Sequence, residues 1–404
     1  MHSSAKATPF ATIKAYEAIS SSGLTAQEIF ANCLRGQSSH QGAGLNPISE
    51  QTWQFLKEKA PEPLKKSKST ILAATALVSV LEKTGWSADE ISDCGFILGT
   101  STGEIDLWEK DLPFLSATES ETHPEIYKKR QHIIRHQSLG VLLSDLRGYF
   151  KIDGTCSVIA SSCSASSQAL ALAALWIKSG KVKRCLVGTS ETLSHLTTTG
   201  FESLRLLSKG VCKPFDKNRN GINLGEASAF IALEKPSLSV SLPTYGAIAG
   251  VGFSSDAYHA TSPDPEGGGC VRSIQQALTS ANLSPEQIDW FYAHGTGSHA
   301  NDLAEAKAIE FLWKENAPLV SSSKPIHGHT LAASGLLESC LALEALQQQQ
   351  IIPNYFITEA DPNFKIPLAQ AKSDLKKPLQ YILKNSLGFG GINCSLIFSH
   401  GAPL

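Results

Sequence analysis

Cys163 lies in a run of small residues, Ser161-Ser162-Cys163-Ser164-Ala165-Ser166-Ser167, which leaves room for a substrate to reach the sulfur. A cysteine attacks as the thiolate, so its surroundings decide whether it reacts. A strand at Val158–Ile159 followed by a helix over Gln168–Ile177 would put the sulfur at or near the helix N-terminus, beside unpaired amides, which lower a thiol pKa. The same run fits a cysteine that merely packs, and on this segment alone the two readings are even. Three distant segments also carry chemistry. The first is Tyr292-Ala293-His294-Gly295-Thr296-Gly297-Ser298, leading through Asn301, Asp302 and Glu305 into a helix. The second runs from Ser321 through Lys324, His327 and His329 into a helix that holds Glu338. The third is Asn385-Ser386-Leu387-Gly388-Phe389-Gly390-Gly391-Ile392-Asn393. Taken singly, each is weak. A lone loop histidine is more often structural than catalytic. His327-Gly328-His329 offers half a metal site with no third ligand at the usual spacing, so no metal is expected. The glycine-rich turn fails the dinucleotide fingerprint. Asp216-x-Asn218-x-Asn220-Gly221 begins like a calcium loop, but its twelfth position is Ala227 where a glutamate is required.

Short apolar strands and amphipathic or apolar helices must position these groups. Val158–Ile159 reads as a buried strand, and Gln168–Ile177 as a helix of strong formers. Thr25 with Glu28 three residues on starts a helix to Leu34. Ser69–Lys83 is an apolar helix that covers a sheet. Lys183–Val187 and Ala227–Glu234 are further strands. A pattern then repeats. A helix, the linker Ser87-Ala88-Asp89-Glu90-Ile91, the strand Cys94–Leu98 and Gly99-Thr100 recur as Val271–Leu278, Ser284-Pro285-Glu286-Gln287-Ile288, Trp290–Ala293 and Gly295-Thr296. A repeat at half the chain length implies a duplicated α/β unit, and alternating helices and strands imply layers. The halves are expected at 1–235 and 245–404, joined by Lys235–Thr244. The N-terminal segment predicts only a short strand, Phe10–Ile13.

Composition excludes several classes. With 35 basic and 37 acidic side chains, the net charge of −2 gives no general affinity for nucleic acid. No apolar run reaches the roughly eighteen residues of a membrane span. Residues 1–13 lack the apolar core of a secretory signal. Nine scattered cysteines without a CxxC suit reduced thiols in a cytoplasmic protein. The basic run Tyr127–His136 reads as a solvated helix face, with docking of an acidic partner as the functional alternative.

Taken together in this order, the blocks around Cys163, Lys213-Pro214-Phe215-Asp216 to Glu226, Gly252–Ser262, His294-Gly295-Thr296, Lys324–His329 and Gly388–Gly391 resemble the elongating β-ketoacyl-acyl carrier protein synthases, condensing enzymes of the thiolase superfamily. The resemblance implies a five-layered αβαβα thiolase fold of two duplicated α/β halves, and a homodimer or a heterodimer with a related subunit. It implies acyl and malonyl carrier proteins as partners, and no cofactor. By resemblance, Cys163 takes the acyl group. His294 and His329 promote decarboxylation of the malonyl unit. Amides of Cys163 and Phe389 form an oxyanion hole, and Phe389 gates the sulfur. Lys324 keeps its charge against Glu338. Thr296 and Ser298 hold the phosphopantetheine arm.

Departures are also visible. The N-terminus lacks the strand and glycine-rich turn that usually open the family, Ala11–Tyr16 being a poor substitute; Ile392 and Leu387 replace a common threonine and phenylalanine, and His327 stands in a threonine position. The Asp106–Arg147 region is unusual. These point to a specialised fatty-acid, polyketide or polyene member. The alternative is a catalytically silent chain-length-determining subunit, which the presence of Cys163, His294, Lys324 and His329 disfavours. A degradative thiolase would carry a single histidine in the C-terminal half.

Overall fold

The computed structural model describes residues 9–110, 124–238, 244–371, 375 and 377–400. The expected signal-free start at 1–8, part of the 106–147 region and part of the 235–244 connection lie outside the described residues.

Ten strands make the main sheet: β1 (Ala11–Ser20), β2 (Gly95–Gly99), β3 (Cys156–Ile159), β4 (Arg184–Glu191), β5 (Ala227–Glu234), β6 (Ala247–Ser255), β7 (Trp290–Tyr292), β8 (Leu319–Ser321), β9 (Tyr381–Gly388) and β10 (Ile392–Ser399). Their spatial order is β8-β7-β9-β10-β6-β1-β5-β4-β2-β3. Counting from the middle, each half lays down its strands as first, fifth, fourth, second, third. In each half the first two pairings are antiparallel and the outer two parallel. The halves meet where β1 pairs β6 at just two positions, Ala11↔Ile248 and Thr12↔Ala247. The repeated sequence pattern is thus a repeated topology.

Five layers follow. The helices Ala165–Lys178 and Ser334–Gln348 pack on each other and on strands of both halves, forming the central layer. Lys68–Thr84 covers β1, β4 and β5 on one outer side, and Gly268–Ala281 covers β6 and β10 on the other. The central helices are apolar nearly all round because both of their faces are covered. The largest apolar cluster sits in this layer, with a smaller one under each outer helix.

Two expectations need correction. β1 is a ten-residue strand at the centre of the sheet, not a short or missing one. Its sequence hides this because helices bury both of its faces, so no polar-apolar alternation is required. β3, expected to be buried, is half-buried throughout, because it is the last strand of its half and pairs only with β2. Elsewhere the boundaries move by a few residues. The linker repeat becomes a short helix, Ala88–Ser92, in one half and a single 3-10 turn, Pro285–Gln287, in the other, each with a serine capping box.

Candidate active site

The chain leaves β3, passes through a 3-10 turn at Ser162–Ser164 and enters the helix Ala165–Lys178. Ser162 adopts φ +51°, a left-handed conformation that costs a non-glycine residue about 1–2 kcal/mol. The hydroxyls of Ser164, Ser166 and Ser167 are committed elsewhere, Ser164 Oγ to the Ser161 carbonyl. Ser166 Oγ donates to the Ala332 carbonyl at 2.5 Å and accepts from the Leu336 amide at 2.9 Å, and Ser167 Oγ meets Ser386 Oγ at 2.8 Å. Small side chains are needed here because the second central helix comes close. A Cβ on Gly335 would lie 2.7 Å from the Ser167 amide nitrogen. The run of serines that makes room at the sulfur is therefore also the contact between the halves.

Cys163 is only 6% exposed. Burial pushes its thiol up to about 11, against the backbone N–H of Phe389, the Lys324 charge and its own N–H, which all favour the thiolate. The helix-end argument anticipated a lowered value; desolvation outweighs it.

His294 follows β7, on a segment tied down by the helix His299–Trp313. Glu305 Oε1 accepts from the His294 amide at 2.7 Å and Oε2 from the Gly295 amide at 2.6 Å. Asp302 accepts from the amides of Thr296 and Gly297. His329 follows the one-turn helix Lys324–His327. The two imidazoles meet edge to face, with ring centroids 5.2 Å apart. Lys324 Nζ lies 2.6 Å from Glu338 Oε1, 2.5 Å from the His294 carbonyl and 3.3 Å from His294 Nδ1. An ammonium only donates, so His294 Nδ1 accepts and the neutral ring carries its proton on Nε2. His329 Nδ1 accepts from the Leu331 amide at 3.0 Å, which fixes the same tautomer. Burial, followed by the Lys324 charge, holds both rings neutral. His294 falls well below the usual histidine range and His329 to about 3.

Cys163, His294 and His329 line one cavity of about 270 Å3, together with Thr296, Ser298 and Phe389. Thr296 Oγ1 and Ser298 Oγ are 2.9 Å apart, and Ser298 also caps the helix that follows it. Phe389 stacks on Phe201 at 5.6 Å beside the sulfur. It sits in a three-residue hairpin turn between β9 and β10, where Gly390 (φ +84°) and Gly391 (φ +72°) need the left-handed region. A strand, not a helix, follows this glycine pair. Lys324 and Glu338 lie behind the histidines, fully buried.

Other residues have different places. His327 is buried with both ring nitrogens engaged, Nε2 by Ser323 Oγ and Nδ1 by the Gly328 carbonyl, each at 2.7 Å. Asp216 turns its carboxylate to the amides of Asn218, Thr358 and Glu359, which gives the calcium-like pattern a loop-fastening role. Phe201, Asp302, Glu305 and Lys384 had no role assigned from the sequence. Asn301, Asp302 and Glu305 carried a signal, three polar residues on one face of a helix start. Lys384 carried another, as the one charged side chain in the run Tyr381–Gly388.

A family model described as the beta-ketoacyl synthase N-terminal domain matches residues 25–238, and the corresponding C-terminal domain model matches 245–358. The chain is 32% identical over 324 residues to a 3-oxoacyl-(acyl-carrier-protein) synthase 2 from Synechocystis sp., covering 77% of this chain and 75% of the relative. It is 34% identical over 250 residues to the protein of that name from Mycobacterium leprae, 59% of either chain. Among solved structures, the ishigamide ketosynthase/chain length factor superposes with TM-score 0.86 at 22% identity, covering 97% of this chain and 99% of the other. A ketosynthase in complex with its chain length factor from Xenorhabdus doucetiae gives TM-score 0.77 at 28% identity, over 99% of both. The chain therefore belongs to the beta-ketoacyl synthase family.

Proposed function

We propose that this chain is a decarboxylating condensing enzyme with Cys163 as nucleophile and His294 and His329 as the donors to a developing enolate. The observation that carries this reading is the fixed tautomer of two neutral imidazoles beside one buried thiol. Each Nδ1 is occupied, so each Nε2–H is free to donate in the cavity that Cys163 lines. Such preorganised donors act where charge develops, at little reorganisation cost.

In the first step the Cys163 sulfur attacks an acyl thioester on a carrier protein. The carrier thiol leaves and takes up the Cys163 proton. The amides of Cys163 and Phe389 would hold the transient oxyanion. A malonyl carrier then enters, its arm held by Thr296 and Ser298. The bond to its carboxylate breaks, carbon dioxide leaves, and the electron pair moves onto the thioester oxygen facing the two imidazoles. The enolate carbon attacks the acyl–Cys163 carbonyl, and the sulfur leaves as the thiolate and takes a proton from water. Lys324, paired with Glu338, orients His294 throughout.

Acyl and malonyl carrier proteins are the proposed partners, and the basic run Tyr127–His136, on the helix Pro124–His136, is the candidate contact for an acidic carrier. A homodimer or a heterodimer with a related subunit is proposed through β3. Among the described residues nothing pairs its outer edge, and an open strand edge invites pairing. The division into halves at 1–235 and 245–404 is part of this reading, since one half carries the sulfur and the other the imidazoles. Nine free cysteines, eight of them buried, support a reducing compartment such as the cytoplasm. Among the described residues, no helix is long and apolar enough to cross a membrane.

Intact-protein mass after mixing with acyl-carrier protein tests the reading. The wild type is expected to gain one acyl group and Cys163→Ala none. A folded wild type that takes no acyl group from any primer, alone or with a partner subunit, would overturn it in favour of a silent chain-length-determining subunit.

A further inference from the structure

Glu338 is shared by two lysines. Lys324 Nζ sits 2.6 Å from Oε1 and Lys384 Nζ 2.8 Å from Oε2, and all three side chains are fully buried. Lys384 reaches the site from β9, on the strand that leads to the Phe389 turn. Its ammonium also donates to the Asn385 carbonyl and, at 3.3 Å, to Ser386 Oγ. It lies 5.6 Å from the centre of the Tyr292 ring. Structure alone does not require it. With Lys384 replaced by an apolar side chain, Lys324 and Glu338 would remain a balanced pair. A second buried ammonium is costly unless it is used, since burial disfavours charge.

The groups around His294 can be enumerated. Lys324 comes from its one-turn helix, His329 from the turn beyond, Glu338 from the central helix Ser334–Gln348, Lys384 from β9, Glu305 from the helix His299–Trp313, and Cys163 from the opposite half. The Glu305 carboxylate is taken up by four N–H donors, from His294, Gly295, Asn301 and Asn385. Among the described residues, Glu338 is the one carboxylate in ion-pair contact with the two ammonium groups, while Glu305 acts on Lys384 only from farther off, its oxygens already taken by N–H donors. Two ammonium groups thus share one contacting carboxylate behind the imidazoles.

We infer that Lys384 is a positioning residue of the reaction: by occupying the second oxygen of Glu338 it leaves the Lys324 charge only partly cancelled, and this positive charge adds to burial in keeping the imidazoles neutral, His294 above all, and strengthens their hold on an enolate. A nearby like charge disfavours the imidazolium, and an uncancelled cation in a water-poor site favours an anion. This inference rests on the proposed condensing activity.

The test is Lys384→Met, which keeps the length and removes the charge. Decarboxylation of a malonyl-carrier thioester is followed as carbon dioxide release across pH, and the histidines are titrated by nuclear magnetic resonance of ring-labelled protein. The expected results are a roughly tenfold lower kcat, less than the 10²–10³-fold effect of losing a direct oxyanion donor, and an acid limb moved up by about one pH unit. The histidine titration should move the same way without any substrate present. A folded Lys384→Met protein with wild-type kcat, acid limb and histidine titration would overturn the inference. So would a wild type whose His294 and His329 protonate near the ordinary histidine pKa, a result that needs no variant. A wild type that shows no decarboxylation or condensation defeats the functional reading instead, and the titration still decides whether Lys384 keeps the rings neutral.

Discussion

In the N-terminal half the chain passes through a 3-10 turn, Ser162–Ser164, into the central helix Ala165–Lys178; in the C-terminal half it passes through another, Leu331–Ala333, into the central helix Ser334–Gln348. The first residue of each turn is left-handed, with φ +51° at Ser162 and +50° at Leu331. The middle residue is Cys163 in one and Ala332 in the other. A second pair of matching features lies nearby. The segments after β2 and β7 are each held by a buried glutamate, but from different elements: Glu191, the last residue of β4, accepts from Thr100 Oγ1 and the Ser101 amide, whereas Glu305, on the helix His299–Trp313, accepts from the amides of His294 and Gly295. Duplication supplied one backbone device twice, and the chemistry was then divided. The first copy presents sulfur. The second presents imidazoles and, through the Ala332 carbonyl and Leu336 amide that bind Ser166, anchors the first.

The strongest way to break this comparison is to remove an imidazole. His329→Ala is expected to lower malonyl decarboxylation by about 10²–10³-fold, the cost of one preorganised donor. Acylation of Cys163 should continue, because the proposed mechanism gives that step to the Cys163 and Phe389 amides. Carbon dioxide release and intact mass, measured on one preparation, separate the two. If both fall together, the division of labour is wrong.

The two buried glutamates sharpen the comparison next. Glu338 answers two buried lysines, whereas Glu191 collects hydroxyl and amide donors from Thr100, Ser101 and Thr102. Glu338→Gln strands buried ammonium groups and should cost about 3–5 kcal/mol of stability. Glu191→Gln loses only part of a hydrogen-bond set and should cost about 1–3 kcal/mol. Urea midpoints rank the two, and a larger loss at Glu191 would reverse the argument.

Protons separate the halves again. Burial holds His329 at about 3 and His327 at about 4, below the unfolded value of 6.5. Between those limits the unfolded chain binds more protons, so stability falls as pH drops below about 6.5, by on the order of 1 kcal/mol per pH unit for each histidine. Glu338 reinforces the acid side. Burial opposes its charge, but Lys324 and Lys384 hold it at about 2 against an ordinary 4.5, so its contribution is lost as pH falls from 4.5 toward 2. Cys163 works on the other side. Burial raises it from 9 to about 11, so the unfolded chain loses its proton first and stability falls as pH rises through that window. Urea midpoints against pH should therefore show an acid slope reduced in His329→Ala and an alkaline slope reduced in Cys163→Ala. The alkaline change is smaller relative to the total, since burial also raises Cys94, Cys212 and Cys394 to about 12.

Much of this was legible in the sequence, for physical reasons. Short strands before glycine-threonine pairs, and a cysteine among serines before an apolar helix, carry their own punctuation. β1 was obscured because a strand covered on both faces loses the alternation that marks strands. The protonation of Cys163 was misjudged because a helix end is a local feature, whereas desolvation depends on everything packed around the sulfur. Lys384 had no assigned role because its partner, Glu338, lies 46 residues away in sequence on another layer, and only the fold brings both ammonium groups to one carboxylate.

The smallest effect tests the turns themselves. Ser162 and Leu331 both hold left-handed backbone that glycine adopts freely, so Ser162→Gly should relieve strain and raise stability by up to about 1 kcal/mol. Leu331→Gly should not gain, because Leu331 is buried against Ile222 and Leu224 and the lost packing exceeds the relief. Ser162 is half-buried and loses little side-chain contact. Its strain would then serve position: a looser turn should slow acylation of Cys163 severalfold while the protein grows more stable. Single-turnover acylation followed by mass, beside a urea midpoint, reads both. If Ser162→Gly is neither more stable nor slower, the left-handed residue at the head of the turn is a by-product of duplication, and the sulfur is held by the helix contact through Ser166 and Ser167 alone.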